Sequence, residues 1–87
     1  MSELAKKFEQ AQADVKSLAE RPDNNSLLKL YSFYKQATEG DVSGEAPGMF
    51  DLVGKRKHEA WTKIKGMSAD DAMQGYIDEV ERLFEED

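Results

Sequence analysis

Eighty-seven residues, with eighteen acidic side chains against twelve basic ones and a net charge of −6, are enough for one small domain with a modest core. There is no cysteine, which excludes disulfides and thiolate metal sites, and the acidic balance argues against nucleic acid as the main partner. The charged opening residues 1–9 lack the apolar centre of a signal peptide and no run nears the ~20 apolar residues of a membrane span, so a cytoplasmic monomer without a transmembrane segment is expected.

Leu4, Phe8, Ala11, Val15 and Leu18 recur every three or four residues and predict a first helix over about residues 3–19. Arg21 followed by Pro22 ends it, because the residue before a proline is pushed out of the helical region. Asp23, Asn24 or Asn25 can then cap a second helix that runs to about Glu39, with Leu27, Leu30, Tyr31, Tyr34 and Thr38 on one side. Gly40 suits the left-handed position after its last turn. Tyr31, Tyr34 and Lys35 stand at i, i+3 and i+4, so they share a side of that helix. Two phenolic rings beside an ammonium can stack on a flat ring and pair with a phosphate, which points to a nucleotide-like anion.

Gly40, Gly44, Pro47 and Gly48 break any helix over residues 40–52 and predict a long crossover. A third helix follows over about residues 53–65, with Val53, Lys57, Ala60, Trp61 and Ile64 on one face, Lys57 being a cation in an apolar stripe. Trp61 reads as core and His58 as exposed. Ser68 with Asp71 three residues on opens a fourth helix, whose stripe is Ala69, Ala72, Met73, Tyr76, Ile77, Val80, Leu83 and Phe84. Its acidic end opposes the helix dipole and predicts fraying of the last turn. Four amphipathic helices and one crossover make an all-α bundle, a single domain over residues 1–87.

Residues 27–66 carry +2, leaving −8 on the flanks, so the middle of the chain suits a compact polyanion. A catalytic or metal centre lacks its parts: there is no cysteine, the single histidine has no partner by spacing, and Asp70 and Asp71 read as helix-start charges.

These residues resemble the acyl-CoA-binding protein family. The resemblance rests on the run from Tyr31 to Thr38 (Tyr-Ser-Phe-Tyr-Lys-Gln-Ala-Thr), on Gly40-Asp41, and on Pro22 upstream. Pro47-Gly48-Met49, Gly54-Lys55-Arg56-Lys57, Ala60-Trp61 and the last-helix Tyr76 extend it over essentially the whole chain. It implies an up-down-down-up four-helix bundle that binds medium- to long-chain fatty acyl-CoA and carries or buffers it in the cytosol, without a cofactor and with acyl-CoA-using enzymes as further partners. By position, Tyr31, Lys35 and Lys57 resemble the family's residues for the 3′-phosphate of CoA, Tyr34 the adenine contact, and Tyr76 and Lys16 further head-group contacts. Phe8, Ala11, Gln12, Val15, Leu27 and Leu28 fall where the family lines its acyl groove. Three positions depart from the family's habit: His58 stands for tryptophan, Val53 for a frequent lysine, and Gln12 for a small residue.

Two other readings compete. A helical protein-interaction module predicts an exposed apolar patch and no ligand-linked stability. A general fatty-acid carrier does not need Lys35 and Lys57.

Overall fold

The computed structural model describes residues 2–44 and 46–86; the last residue of the acidic tail, Asp87, lies outside them. Among the described residues there are four α-helices and no strand: α1 (Glu3–Asp14), α2 (Asn24–Glu39), α3 (Leu52–Lys63) and α4 (Ala69–Glu86). Each start is chemically marked. Side-chain oxygens of Ser2, Asp23, Asp51 and Ser68 accept from the backbone N–H groups of Ala5, Ser26, Gly54 and Asp71, satisfying donors that the first turn leaves open. Gly40 and Gly66, at φ 83° and 92°, let the chain turn off α2 and α3 through a region closed to most side chains.

Cross-contacts fix the topology. Tyr31 meets Lys57 and Gln36 meets Trp61, so α2 and α3 run parallel. Arg82 near the end of α4 reaches Ser26 at the start of α2, and Gly75 near its start meets Phe33, so α2 and α4 are antiparallel. Phe8 packs on Tyr76, while Leu18 and Leu83 face one hollow, which makes α1 parallel to α4. The order is therefore up-down-down-up. The central layer is α2 against α4, with α1 on α4 and α3 on α2.

Phe8, Ala11, Leu30, Tyr76, Ile77 and Val80 form the core, with Leu4, Val15, Phe33, Ala37, Met73 and Leu83 packed around it. A Cβ on Gly75 would come within 2.6 Å of the Phe33 ring, so the missing side chain lets α2 and α4 approach. The second anchor is polar. Gln36 is 1% exposed, and its amide donates to Asp41 Oδ1 (2.9 Å) and to the Met67 carbonyl (2.8 Å). Its Oε1 accepts from Trp61 Nε1 (3.1 Å), which also donates to the Gly40 carbonyl (2.9 Å). One buried amide thereby ties α2, the crossover, α3 and the α3–α4 turn together.

The structure departs from the sequence pattern in the ends of α1 and α4 and in the burial of α3. The first α-helix stops at Asp14 and gives way to a 3₁₀ turn, Val15–Ser17, with Leu18 already extended. Ser17 Oγ bonds back to the Asp14 carbonyl, a local alternative to continuing the helix. The last turn of α4 does not fray before Glu86, because Arg82 bonds both Glu79 and Glu86. Val53, expected on the packed face of α3, is 65% exposed; of that face only Trp61 is fully buried. The first half of α3 thus projects past the core.

Acid should loosen these joints. Asp23 is held below the usual carboxylate range by the Ser26 N–H and hydroxyl, Asp41 by the Gln36 amide and the Gly66 N–H, and Glu79 by Arg82. Carboxyls with depressed folded-state pKa values stabilise the fold above the ordinary value near 4, and that stability is lost as pH falls through the folded values. Thermal melts are expected to be flat from pH 7 to about 5 and to drop below about 4. Asp41→Asn should melt lower at pH 7 and show a shallower acid limb; an unchanged limb would remove Asp41 from this account.

Candidate functional site

Lys35 and Lys57 come from different helices, and folding brings both to one ring. The ammonium of Lys57 lies 5.3 Å from the centre of the Tyr31 ring, and that of Lys35 lies 5.9 Å from it and 5.5 Å from the Trp61 ring. Each aromatic face attracts a cation, but two cations sharing one ring repel each other. An anion between them would relieve that repulsion. Lys35 is ion-paired with Glu39, whose hydrogen bond holds the ammonium above its usual pKa. Any anion approaching Lys35 would have to compete with that carboxylate.

Beside Tyr31 opens a cavity of about 670 Å³, within the usual range for small-molecule sites. Leu27, Leu28 and Tyr31 of α2 form one wall, and Leu52, Val53, Arg56 and Lys57 of α3 form the other, with Arg21 and Asn24 closing an end. The cavity exists because the start of α3 overhangs the core. Apolar walls meet cations at the mouth, which is the chemistry of an amphiphile's binding place.

The expected residues divide between this cavity and its neighbourhood. Tyr31, Lys57, Leu27 and Leu28 line it, and Lys35 adjoins through Tyr31. Tyr34 is exposed and leans on α1, its ring 6.1 Å from that of Phe8. Tyr76 is buried, edge-on to Phe8 at 5.2 Å, and burial raises its phenol pKa, with Tyr34 adding to the effect. Phe8 and Ala11 belong to the core, Val15 packs against it, and half-buried Gln12 donates to the Phe8 carbonyl. Lys16 is exposed on the 3₁₀ turn and does not line the cavity. His58, expected in solvent, is half-buried on α3, and its carbonyl accepts from Thr62 Oγ1.

Arg21, Asn24, Leu52 and Arg56 are cavity residues that the sequence pattern did not single out. A signal existed for two of them: Leu52, Val53, Arg56 and Lys57 fall at i, i+1, i+4 and i+5, one face of a helix. Among the described residues no group of His, Asp or Glu is arranged to hold a metal ion.

The sequence matches the family model described as "Acyl CoA binding protein" over residues 5–80. It is 50% identical over 76 residues to "Acyl-CoA-binding protein homolog 1" of Caenorhabditis elegans, covering 87% of this chain and 88% of that protein. The fold superimposes on the crystal structure of Acyl-CoA-Binding Protein 2 of Oryza sativa with a TM-score of 0.89 at 40% identity, over 95% of this chain and 92% of the other. Against the ACBP crystal structure from Moniliophthora perniciosa the TM-score is 0.88 at 34% identity, over 99% of this chain and 83% of the other. With lysines of its second and third helices converging on Tyr31 beside an apolar cavity, and with this match over nearly its whole length, the chain belongs to the acyl-CoA-binding protein family.

Proposed function

We propose that this protein binds medium- to long-chain fatty acyl-CoA thioesters and serves as an intracellular carrier and buffer of them, acting as one domain and one monomer in the cytoplasm. The observation that carries this reading is the convergence of Lys35 and Lys57 on Tyr31 at the edge of a leucine- and valine-lined cavity. The phosphates of CoA take the cations, and the acyl chain takes the apolar walls. Tyr34 and Tyr76, whose rings both meet Phe8, extend the aromatic surface for the head group, and Phe8, Ala11, Gln12 and Val15 continue the apolar side along α1. Lys16 contributes as an outlying charge. The role is that of a carrier, with no catalytic step; enzymes that make or use acyl-CoA are the partners this implies.

Isothermal titration with palmitoyl-CoA, CoA and palmitate tests the reading. Burial of even about six methylenes, at ~0.8 kcal/mol each, favours palmitoyl-CoA over CoA by about three thousand-fold. Palmitate, which lacks the phosphates, should bind weakly or not at all. Equal binding of palmitate and palmitoyl-CoA would instead indicate a general fatty-acid carrier.

The protein-interaction reading predicted an exposed apolar patch, and one exists at Met49, Phe50, Leu52 and Val53. A melt with and without palmitoyl-CoA separates the two. A pure interaction module shows no ligand-linked rise, whereas a binder gains about 2.7 kcal/mol at a ligand concentration a hundred times Kd.

A further inference from the structure

The most exposed large apolar side chains gather in one short stretch. Phe50 is 93% exposed, Met49 70%, Leu52 68% and Val53 65%, across the end of the crossover and the first turn of α3. Four neighbouring apolar side chains left in water on a chain this small mark an interaction surface. Their surroundings are basic. Lys55, Arg56 and Lys57 follow after Gly54, and Arg56, Lys57 and Arg21 line the cavity with Leu52 and Val53. Asp51 is the sole carboxylate between residues 46 and 58, and it is occupied as the cap of α3, accepting from the Gly54 N–H at 2.9 Å.

We propose that residues 49–57 form a docking tip for anionic lipid bilayers, with Met49 and Phe50 entering the headgroup–acyl boundary and Arg21, Lys55, Arg56 and Lys57 meeting lipid phosphates and carboxylates. A large aromatic and a flexible thioether, followed in sequence by three cations, is the chemistry that binds an interface. The net charge of −6 does not prevent this, since charges beyond about 10 Å are screened at 0.1 M salt and the tip meets the surface with its own local sign. A second copy of the chain fits less well, because a two-fold contact through this patch would set Arg56 and Lys57 against their own copies. The tip is also the rim of the cavity, so docking aims the apolar cavity at the bilayer and lets an acyl chain pass without crossing bulk water. That last step rests on the acyl-CoA reading; the docking does not.

The test uses ligand-free protein, co-sedimented with vesicles of pure phosphatidylcholine or of an equimolar mixture of phosphatidylcholine and phosphatidylserine. Binding is expected to the mixed vesicles only, falling at high salt, because each cation near an anionic surface contributes about five-fold. Phe50→Ser should release the protein from the mixed vesicles yet retain its melt and its palmitoyl-CoA titration, since Phe50 neither supports the core nor lines the cavity. Phe50→Trp provides a second readout: its emission should shift to the blue on the mixed vesicles, over a constant background from buried Trp61. The proposal is overturned if wild type ignores the mixed vesicles, if Phe50→Ser sediments as well as wild type, or if the emission of the Phe50→Trp variant does not move. A dimer in sedimentation equilibrium that Phe50→Ser dissolves, without vesicle binding, would reassign the patch to self-association. Because the vesicle assays contain no acyl-CoA, their failure leaves the titrations with palmitoyl-CoA standing, and the converse holds.

Discussion

Lys35→Ala is expected to weaken palmitoyl-CoA binding by about 10- to 100-fold, the usual loss when a charge-assisted hydrogen bond to a ligand is deleted. The fold should tolerate the change. The ammonium is partly exposed, pairs with Glu39 on its own helix and faces Tyr31 and Trp61 without a buried polar partner. Removing it costs an exposed helix pair and two cation–aromatic contacts, all weak next to the phosphate interaction. Glu39→Gln supplies the control: it frees Lys35 from its internal competitor and should hold or raise the affinity. Titration calorimetry on both variants, with melts alongside, reads the result. Normal binding by Lys35→Ala, or a melt far below wild type, would move Lys35 out of the site and into the structure.

Gln36→Leu, one residue further along, is expected to do the opposite: large damage to stability, with any loss of binding following from it. The substitution conserves volume but strips the joint between four segments. The Met67 carbonyl and the Asp41 carboxylate each lose a donor, while Trp61 Nε1 retains only the Gly40 carbonyl. Leaving buried polar groups unpaired costs about 2–4 kcal/mol here, or roughly 10–25 °C in melting temperature for a domain of this size. Trp61→Phe removes a single donor and should cost less. If Gln36→Leu melted within a few degrees of wild type, the buried amide would be no more than a filler.

Lys35 and Gln36 show how far the sequence could be read. Both lie within the Tyr31–Thr38 run, and the closeness of Lys35 to Tyr31 was legible because their spacing is local, set by helix geometry alone. The role of Gln36 was not, because its partners Asp41, Trp61 and Met67 stand on three other segments. The second helix was well placed, since Asp23 and Gly40 are strong local signals. The first was overrun: an apolar period continues through Val15 and Leu18, but the Ser17 hydroxyl takes the Asp14 carbonyl and ends the α-helix first.

By itself, then, the sequence determined what helix periodicity, capping and turn chemistry can encode: four helices, one crossover, the absence of thiol chemistry, and one face carrying Tyr31, Tyr34 and Lys35. The family's motif added Lys57, Tyr76 and the apolar positions of α1 by resemblance. Only the tertiary structure decided which faces stay open. The stripe that contains Val53 and Lys57 looks like a core face in one dimension, yet in α3 only Trp61, in its second half, is fully buried. Its first half overhangs, leaving Leu52 and Val53 as a cavity wall and Phe50 in solvent. Periodicity reports that a face is apolar; whether another element covers it depends on contacts between residues distant in the chain, and those exist only once the helices have packed.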